Sequence, residues 1–382
     1  MINRRGARLS QRRGARWASL AAVGALMLAS AACGGGNGDS GSGSSGSSEK
    51  KVGVILPDAT TSPRWEANDR PSLKKAFDDA GIKSDIQNAG GDKAKFGTIC
   101  DSMINSGVQV LMIVNLDSDS GGACLKKATA AGIKSIDYDR LTLGGGASYY
   151  VSFDNVKVGE LMGQGLQTCL DKMGKTKANI VYINGDPTDN NAALFKSGYV
   201  KALKPKVDSG AYKVVGDQTG LWDATKAGTA FEQIYTQNKG NVDGVVSAND
   251  TMAGGIVARL AANGLADKVP VTGQDASVEG LQRLLKGTQC MTVYKDTNLE
   301  AKAASDLAIA LINGDQAKAD QMASGSVKDT VTGQNVKSVL ATPQSIFQDG
   351  VKTVIADGFQ PYDQVCTGDF AKLCTKYGVQ KP

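Results

Sequence analysis

Ten side chains stand at the ends of six apolar runs, and their types suit one task, the holding of hydroxyl groups. The runs are KVGVILPDATTSPRW, GIKSIDYDR, ANIVYINGDPTDNN, VDGVVSANDT, VPVTGQDA and CMTVYKD. Their endings carry Arg64, Trp65, Asp139, Arg140, Asp189, Asn191, Asn249, Asp250, Asp275 and Lys295. A hydroxyl both donates and accepts, so a polyol pocket mixes carboxylate acceptors, Arg or Lys donors and amides that do both. The C–H faces of a sugar ring are apolar and pack on flat aromatic rings, for which Trp65 and Trp222 are the candidates. The chain has no histidine. That excludes Ser-His-Asp and Cys-His triads, His-ligated zinc and facial-triad iron. A glycosidase would need two facing carboxylates, and Asp139, Asp189, Asp250 and Asp275 could offer a pair. Each, however, lies beside a cation or an amide, as in YDR, DNN and ND. Such neighbours favour ionised acceptors over an acid of raised pKa. The expectation is a holding site that is not catalytic and uses neither cofactor nor metal. Asn115, Asp117 and Asp119 mimic the start of a calcium loop, but Ser120 and Lys126 stand where that loop needs Gly and Glu. They read instead as a strand-end loop lining the cleft.

These endings need strands to carry them. VGVILP, VQVLMIV, IKSIDY, YYVSF, NIVYIN, YKVVGD, DGVVSA, VPVTG and MTVY read as short buried strands. Amphipathic stretches separate them: helices are expected near 70–80, 123–131, 156–173 (with Asp154 as N-cap) and 299–313. Apolar strands alternating with helices predict an α/β fold of doubly wound parallel sheets. In such sheets ligands bind outside the carboxyl ends of the strands, where the ten side chains lie. The pattern restarts after Tyr150 as it began at Lys51, which predicts two lobes. After the last helix the tail reads as irregular.

The 382 residues suffice for two domains. The formal charge of +5 is misleading, because six arginines (Arg4, Arg5, Arg8, Arg12, Arg13 and Arg16) lie in the first sixteen residues. Without those six the charge is −1, which leaves no electrostatic case for nucleic acid. The arginines precede an apolar stretch, 17–32, that is too short for a comfortable membrane span and has the form of an export signal. The arginine pairs also allow a twin-arginine route. Residues 1–33 read as signal plus a lipidation site at Cys33, with simple secretion as the alternative. Residues 34–50 are mostly Gly and Ser and read as a flexible tether. Six cysteines remain, and an even number in an exported chain suggests disulfides. Cys366 and Cys374 are near enough to staple the tail. Cys100 and Cys124 fall on successive helices, and Cys169 with Cys290 is left by elimination. Buried free thiols are the competing reading.

The strand endings also carry a family likeness. SPRW, YDR, SFDNVKVGEL, DPTDNNAALF, LKPKVDSGAYKVVGDQ, SANDTMAGG, GQDA and TVYK together resemble the D-xylose-binding proteins of bacterial ABC importers, within the type I periplasmic sugar-binding family. The likeness runs from Lys51 to about Gly358. It implies two Rossmann-like doubly wound lobes joined by a three-strand hinge, 51–149 with 297–342 and 152–295 with 345–382. It implies one monosaccharide between them, an ABC permease as partner, a monomer, and a place on the extracytoplasmic face of the membrane, held by a lipid anchor. Carried over by motif, Arg64 and Arg140 donate to ring hydroxyls and Asp139 accepts. Asp189, Asn191, Asn249, Asp275 and Lys295 bind from the other lobe and the hinge, while Trp65 and Trp222 sandwich the ring. Lys196 stands where the xylose-binding pattern has Arg, and a lysine does not reproduce a bidentate fork. That departure leaves pentose or hexose open, glucose, galactose and arabinose being the other sugars of the family. A receptor for chemotaxis or kinase signalling built on the same fold and site is the alternative to import.

Overall fold

The apolar runs become strands wherever both of their faces can be covered. The computed structural model describes residues 49–382. The leader, Cys33 and the tether up to Ser48 therefore lie outside the described residues. Strands β1 (Lys51–Leu56), β2 (Lys83–Asn88), β3 (Val110–Ile113), β4 (Lys134–Tyr138) and β5 (Tyr149–Phe153) come first. They are followed by β6 (Ala178–Asn184), β7 (Tyr212–Thr219), β8 (Gly244–Ser247) and β9 (Thr292–Tyr294), then by β10 (Gly325–Lys328), β11 (Asn335–Ala341) and β12 (Gln344–Ile346). One lobe holds a seven-stranded sheet in the order β10-β11-β5-β4-β3-β1-β2, parallel throughout except for the β10–β11 pair. Val52 of β1 lies between Ser84 and Val110 and sets the register of its centre. The other lobe holds the parallel sheet β7-β6-β8. Val271 bridges to Val245 beside it, and Gln274 bridges to Val293 of β9, which pairs with β12.

Helices cover both sheets: α1 (Arg70–Asp79), α2 (Lys93–Asn105), α3 (Ser118–Ala130), α4 (Asn155–Lys172), α5 (Asn190–Asp208), α6 (Ala224–Gln237), α7 (Asp250–Ala262), α8 (Val278–Lys286) and α9 (Thr297–Ile312). Apolar side chains fill two clusters in the first lobe and one large cluster in the second, with a smaller one under the C-terminal tail. The chain crosses between sheets three times: from β5 into α4, from β9 into α9, and from β11 to β12. The first and third crossings touch, the Asp154 amide donating to the Ala341 carbonyl at 3.1 Å. Asp154 also caps α4, accepting from the Lys157 amide at 3.0 Å.

Two glycines allow α4 and α5 to touch backbone to backbone. A Cβ on Gly159 would meet the Phe195 carbonyl at 2.0 Å, and one on Gly198 would meet the Val156 carbonyl at 2.2 Å. This contact sets the two helix N-termini side by side, at the point where the chain first leaves the seven-stranded sheet. Disulfides join Cys100 to Cys124, Cys169 to Cys290 and Cys366 to Cys374. The first ties α2 to α3, and the second ties α4 to the residues just before β9. Four features depart from expectation. Lys83–Asn88 is a strand, α3 begins five residues early at Ser118, the tail supplies β10, β11 and β12, and VPVTG forms no strand but only the single bridge of Val271 to Val245. Among the described residues no helix is long and apolar enough to cross a membrane.

Candidate functional site

One small cavity of about 30 Å³ gathers the strand endings. It is lined by Thr61, Ser62, Arg64, Trp65, Asp139, Arg140, Asp189, Asn191, Phe195, Trp222, Asn249, Gln274, Asp275 and Lys295. Each lies past the carboxyl end of a strand or at the N-terminus of the helix that follows. From the first lobe come the loop after β1 and the residues after β4. From the second come the N-terminus of α5, the loop after β7, the N-cap of α7, the segment beside β8 and the end of β9. A larger depression of about 370 Å³ beside the Cys169–Cys290 disulfide has only exposed charges, Lys172, Asp267 and Asp349, on its walls. Converging buried ions mark the smaller cavity as the site.

Asp139 is its hub. Its backbone is left-handed, φ +63°, a conformation Asp tolerates better than most residues. The strain turns its carboxylate into the cleft. Arg64 Nη1 donates to Oδ2 at 2.7 Å and Asn191 Nδ2 donates to Oδ1 at 3.0 Å. The Asp139 carbonyl accepts from Tyr150 Oη, Ser152 Oγ and Asn191 Nδ2. Burial works to raise the Asp139 pKa, but Lys295, Arg64 and Arg140 overcome it and hold the carboxyl down at about 2. The guanidinium of Arg64 also gives Nε and Nη2 to Asp69 at 2.8 and 2.7 Å and Nη2 to Glu300 at 2.5 Å. Four of its five N–H groups are thus engaged, leaving one on Nη1 for a ligand. Burial pulls its pKa down, and Asp69, Glu300 and Asp139 more than reverse that.

Lys295 is differently placed. Its Nζ stands 3.6 Å from both Asp139 and Asp275, beyond hydrogen-bond reach. It lies 5.5 Å from the Phe153 ring centre and 5.8 Å from that of Phe195. The side chain is 3% exposed and its ammonium donates no hydrogen bond among the described residues, so its donors are directed at whatever fills the cavity. Asp275 (φ +99°), Ala276 (φ +49°), Leu221 (φ +53°) and Trp222 (φ +57°) are the other strained positions here. Backbone strain persists where surrounding structure over-determines it and clusters at binding sites. Five further buried polar atoms of the lining make no hydrogen bond among the described residues: Trp65 Nε1, Arg140 Nε, Trp222 Nε1, Gln274 Oε1 and Asp275 Oδ1.

One ion pair and several hydrogen bonds span the lobes directly. Arg140 Nε sits 2.9 Å from Asp189 Oδ2, while burial pushes the Asp189 carboxyl up against that attraction. Ser62 Oγ donates to Asp275 Oδ2 at 2.8 Å, and Asn249 Nδ2 donates to the Thr61 carbonyl at 3.1 Å. Asn249 at the same time caps α7, accepting from the Met252 amide at 2.9 Å. Trp222 is held edge-on to Phe195 at 6.2 Å. Its indole fills the space beside Gly185, where a Cβ would meet Cζ2 at 2.0 Å.

Ten of the eleven residues expected to bind line this cavity, and Lys196 does not. It follows the inward-facing Phe195 on α5, and one residue along a helix turns the side chain about 100° away. Its Nζ pairs instead with Asp217 at 2.7 Å near the surface. Asp250 is also displaced from the role that its place in SANDT suggests. Its carboxylate accepts from the Ser277 amide, Gln289 Nε2 and Thr292 Oγ1, and so braces the strained 275–276 turn from behind. The 115–119 loop does not line the cavity either. Asn115 Nδ2 donates to the Arg140 carbonyl and to Thr142, and Asp117 caps α3 and pairs with Lys93. Thr61, Ser62, Phe195 and Gln274 were not anticipated, although each adjoins or falls inside a motif already singled out. Asp69 and Glu300 were missed outright, since neither ends a strand.

Comparison with known proteins places this geometry. The profile of the periplasmic binding protein domain family matches residues 52–316. The D-xylose-binding periplasmic protein of Escherichia coli (strain K12) is 39% identical over 315 residues, 82% of this chain and 92% of that protein. The multiple sugar-binding periplasmic receptor ChvE of Rhizobium radiobacter is 33% identical, over 80% and 89% respectively. Among solved structures, a carbohydrate transporter solute-binding protein of Chloroflexus aurantiacus in complex with D-glucose superposes with a TM-score of 0.75. It is 27% identical and covers 82% of this chain and 98% of its own.

Proposed function

The chain belongs to the periplasmic binding protein family, among the sugar-binding proteins of ABC transporter type, and on that premise we propose that it captures one aldose, D-xylose first, between its lobes. That family is one of solute-binding proteins, not enzymes. One observation carries the ligand class. Two indole N–H groups, an amide oxygen, a carboxylate oxygen and an ammonium, all buried and without hydrogen-bond partners among the described residues, converge on one small cavity. A neutral polyhydroxylated ring satisfies donors and acceptors together, whereas an anion or a cation would leave one set opposed. In this reading Trp65 and Trp222 face the ring, Asp139, Asp189 and Asp275 accept from its hydroxyls, and Arg64, Arg140, Lys295, Asn191 and Asn249 donate.

D-xylose stands first because two D-xylose-binding periplasmic proteins, from Escherichia coli and Haemophilus influenzae, are 39% and 35% identical to this chain. A hexose, glucose above all, is the second reading, supported by the glucose-bound neighbour and the multiple-sugar receptor. The monomeric receptor is anchored through a lipid on Cys33, works outside the cytoplasmic membrane and hands its sugar to an ABC permease. Its lobes divide at the three crossings, close to 51–149 with 297–342 and 152–295 with 345–382. Titration calorimetry against a panel of aldoses tests the core of this proposal. One site per chain with xylose or a close aldose binding tightest is the expected result. Binding of a sugar acid or a nucleoside with no aldose bound would overturn it. Mass spectrometry of the mature N-terminus tests the anchor, an unmodified residue other than Cys33 being the adverse outcome.

A further inference from the structure

Arg64 reaches the cavity with one free N–H, and what fixes that N–H lies wholly outside the cavity. Asp69, in the π-helical turn Trp65–Asp69, is fully buried. It takes Arg64 Nε and Nη2 side by side and also accepts from Tyr138 Oη at 2.5 Å. Glu300, in the first turn of α9, is fully buried too. Its Oε2 accepts from Nη2 at 2.5 Å, and its Oε1 has no hydrogen-bond partner among the described residues. The guanidinium so clamped lies 4.4 Å from the centre of the Trp65 ring, so the clamp also orients that indole. Neither carboxyl lines the cavity.

We propose that Asp69 and Glu300 are positioning residues for sugar binding, holding Arg64 in the single orientation that leaves its last N–H to the ligand. This rests on the sugar-binding reading of the cleft and adds to it a pair of residues that never touch the sugar. It also gives Glu300 a regulatory consequence. The charged and titratable groups facing it are Arg64 and Asp69 from the loop after β1, Tyr138 and Asp139 from β4 and its end, Tyr150 from β5, and Lys295 from the end of β9. Burial raises the Glu300 pKa; Arg64 and Lys295 oppose that, Asp139 and Asp69 add to it, and the carboxyl stands at about 8. Glu300 is already fully buried with the lobes joined, so the linkage acts through closure: opening the cleft would admit water to the Arg64–Asp139 side of the clamp, and closure around a sugar removes that water and favours the neutral acid. By linkage, affinity is then highest where Glu300 holds its proton and falls as pH rises through its pKa, by at most about tenfold per pH unit.

Glu300→Gln tests this, because glutamine has the size and the acceptor oxygen of the neutral acid. The expected result is sugar affinity close to wild type at pH 7 in the variant. From pH ~7 to ~9.5, the window around the raised pKa, the wild type should lose affinity and the variant should stay flat. The same pH slope in both proteins would overturn the proposal. A second readout needs no sugar. With Trp17 and Trp222 replaced by Phe, Trp65 is the one tryptophan left of three. Its emission should titrate near pH 8 in that background, and the titration should vanish once Glu300→Gln is added. If no aldose binds at any pH and that titration persists, the sugar reading fails while the clamp on Arg64 stands. A flat emission in both proteins removes the clamp.

Discussion

Asp139→Asn isolates the charge at the hub from its shape. Asparagine has the same size, tolerates the left-handed backbone, and can still accept from Asn191 through one oxygen. What is lost is the negative charge facing Arg64 at 2.7 Å and Lys295 at 3.6 Å. Two routes give the size of the effect. A hydrogen bond to a charged group contributes about 1.5–3 kcal/mol. A carboxyl held at about 2 instead of near 3.9 implies roughly 2–3 kcal/mol of folding stability from its ionised form. The agreement sets the expected loss at roughly 2–3 kcal/mol, or about 3–4 °C in Tm for a chain of this size. Denaturant unfolding at pH 7 and again near pH 2 provides the assay. The sign follows from the direction of the shift. A depressed pKa contributes stability that is present above the unfolded value and is lost as pH falls through the folded one. The gap between wild type and variant should therefore be full at pH 7 and close towards pH 2. Equal stability at pH 7, or a gap that is the same at both pH values, would refute the reasoning.

Other predictions concern sugar affinity and the pH profile. Gly185→Ala should drive the Trp222 indole out of place, since the new Cβ would lie 2.0 Å from Cζ2. Affinity should fall by about fivefold or more, as one aromatic face contributes on the order of 1 kcal/mol or above. Wild-type calorimetry in that variant would mean Trp222 does not face the ligand. Lys196→Arg should leave affinity within about twofold, because its partner is the half-exposed Asp217 and surface pairs contribute little; a large gain would put this position back in the site. Asp137 at about 7, Asp250 at about 6 and Glu300 at about 8 are all raised by burial. Each keeps a proton in the folded state that the unfolded chain has released above pH ~4. Folding stability should then decline from about pH 5 to about pH 8.5, and a denaturation midpoint that rises across that range would contradict it.

How far the sequence could be read depended on burial. β1, β3, β4 and β5 are buried at nearly every residue, because helices cover both sheet faces, and such strands show as continuous apolar runs. β2 (KSDIQN) and β10 (GSVK) end the seven-stranded sheet at its two edges. Half-exposed edge strands carry polar residues, so no apolar run marked them. β11 (NVKSVLA) mixes polar and apolar residues without a regular period, and its partner β5 lies nearly two hundred residues away in the chain. The site was legible because doubly wound sheets present strand ends on one side. Lys196 was misplaced because a motif match carries spacing along the chain, whereas which neighbour faces the cleft is decided by helix phase. Asp69 and Glu300 were hidden for another reason. A buried carboxyl on a helix gives the same letter as an exposed one, and only the fold brings it to Arg64.

The contacts in the cleft divide into two kinds, and the division says how capture would work. Arg140 with Asp189, Ser62 with Asp275, Asn249 with Thr61 and Asn191 with Asp139 join the lobes without any ligand. They set the closed register and contribute to closure whatever the cleft holds. Trp65 Nε1, Trp222 Nε1, Gln274 Oε1, Asp275 Oδ1 and the Lys295 ammonium make no hydrogen bond among the described residues in that closed register. Buried polar groups without partners cost about 1–3 kcal/mol each. The first group favours closing and the second opposes it until hydroxyls are present. A ligand that satisfies the second group binds the closed form better than the open one, and only such differential affinity shifts a conformational equilibrium. The specificity of capture therefore lies in the groups that are unsatisfied within the protein. A sugar lacking one hydroxyl leaves one of them unpaired, and is rejected for the free energy of that group and not for a loss of fit.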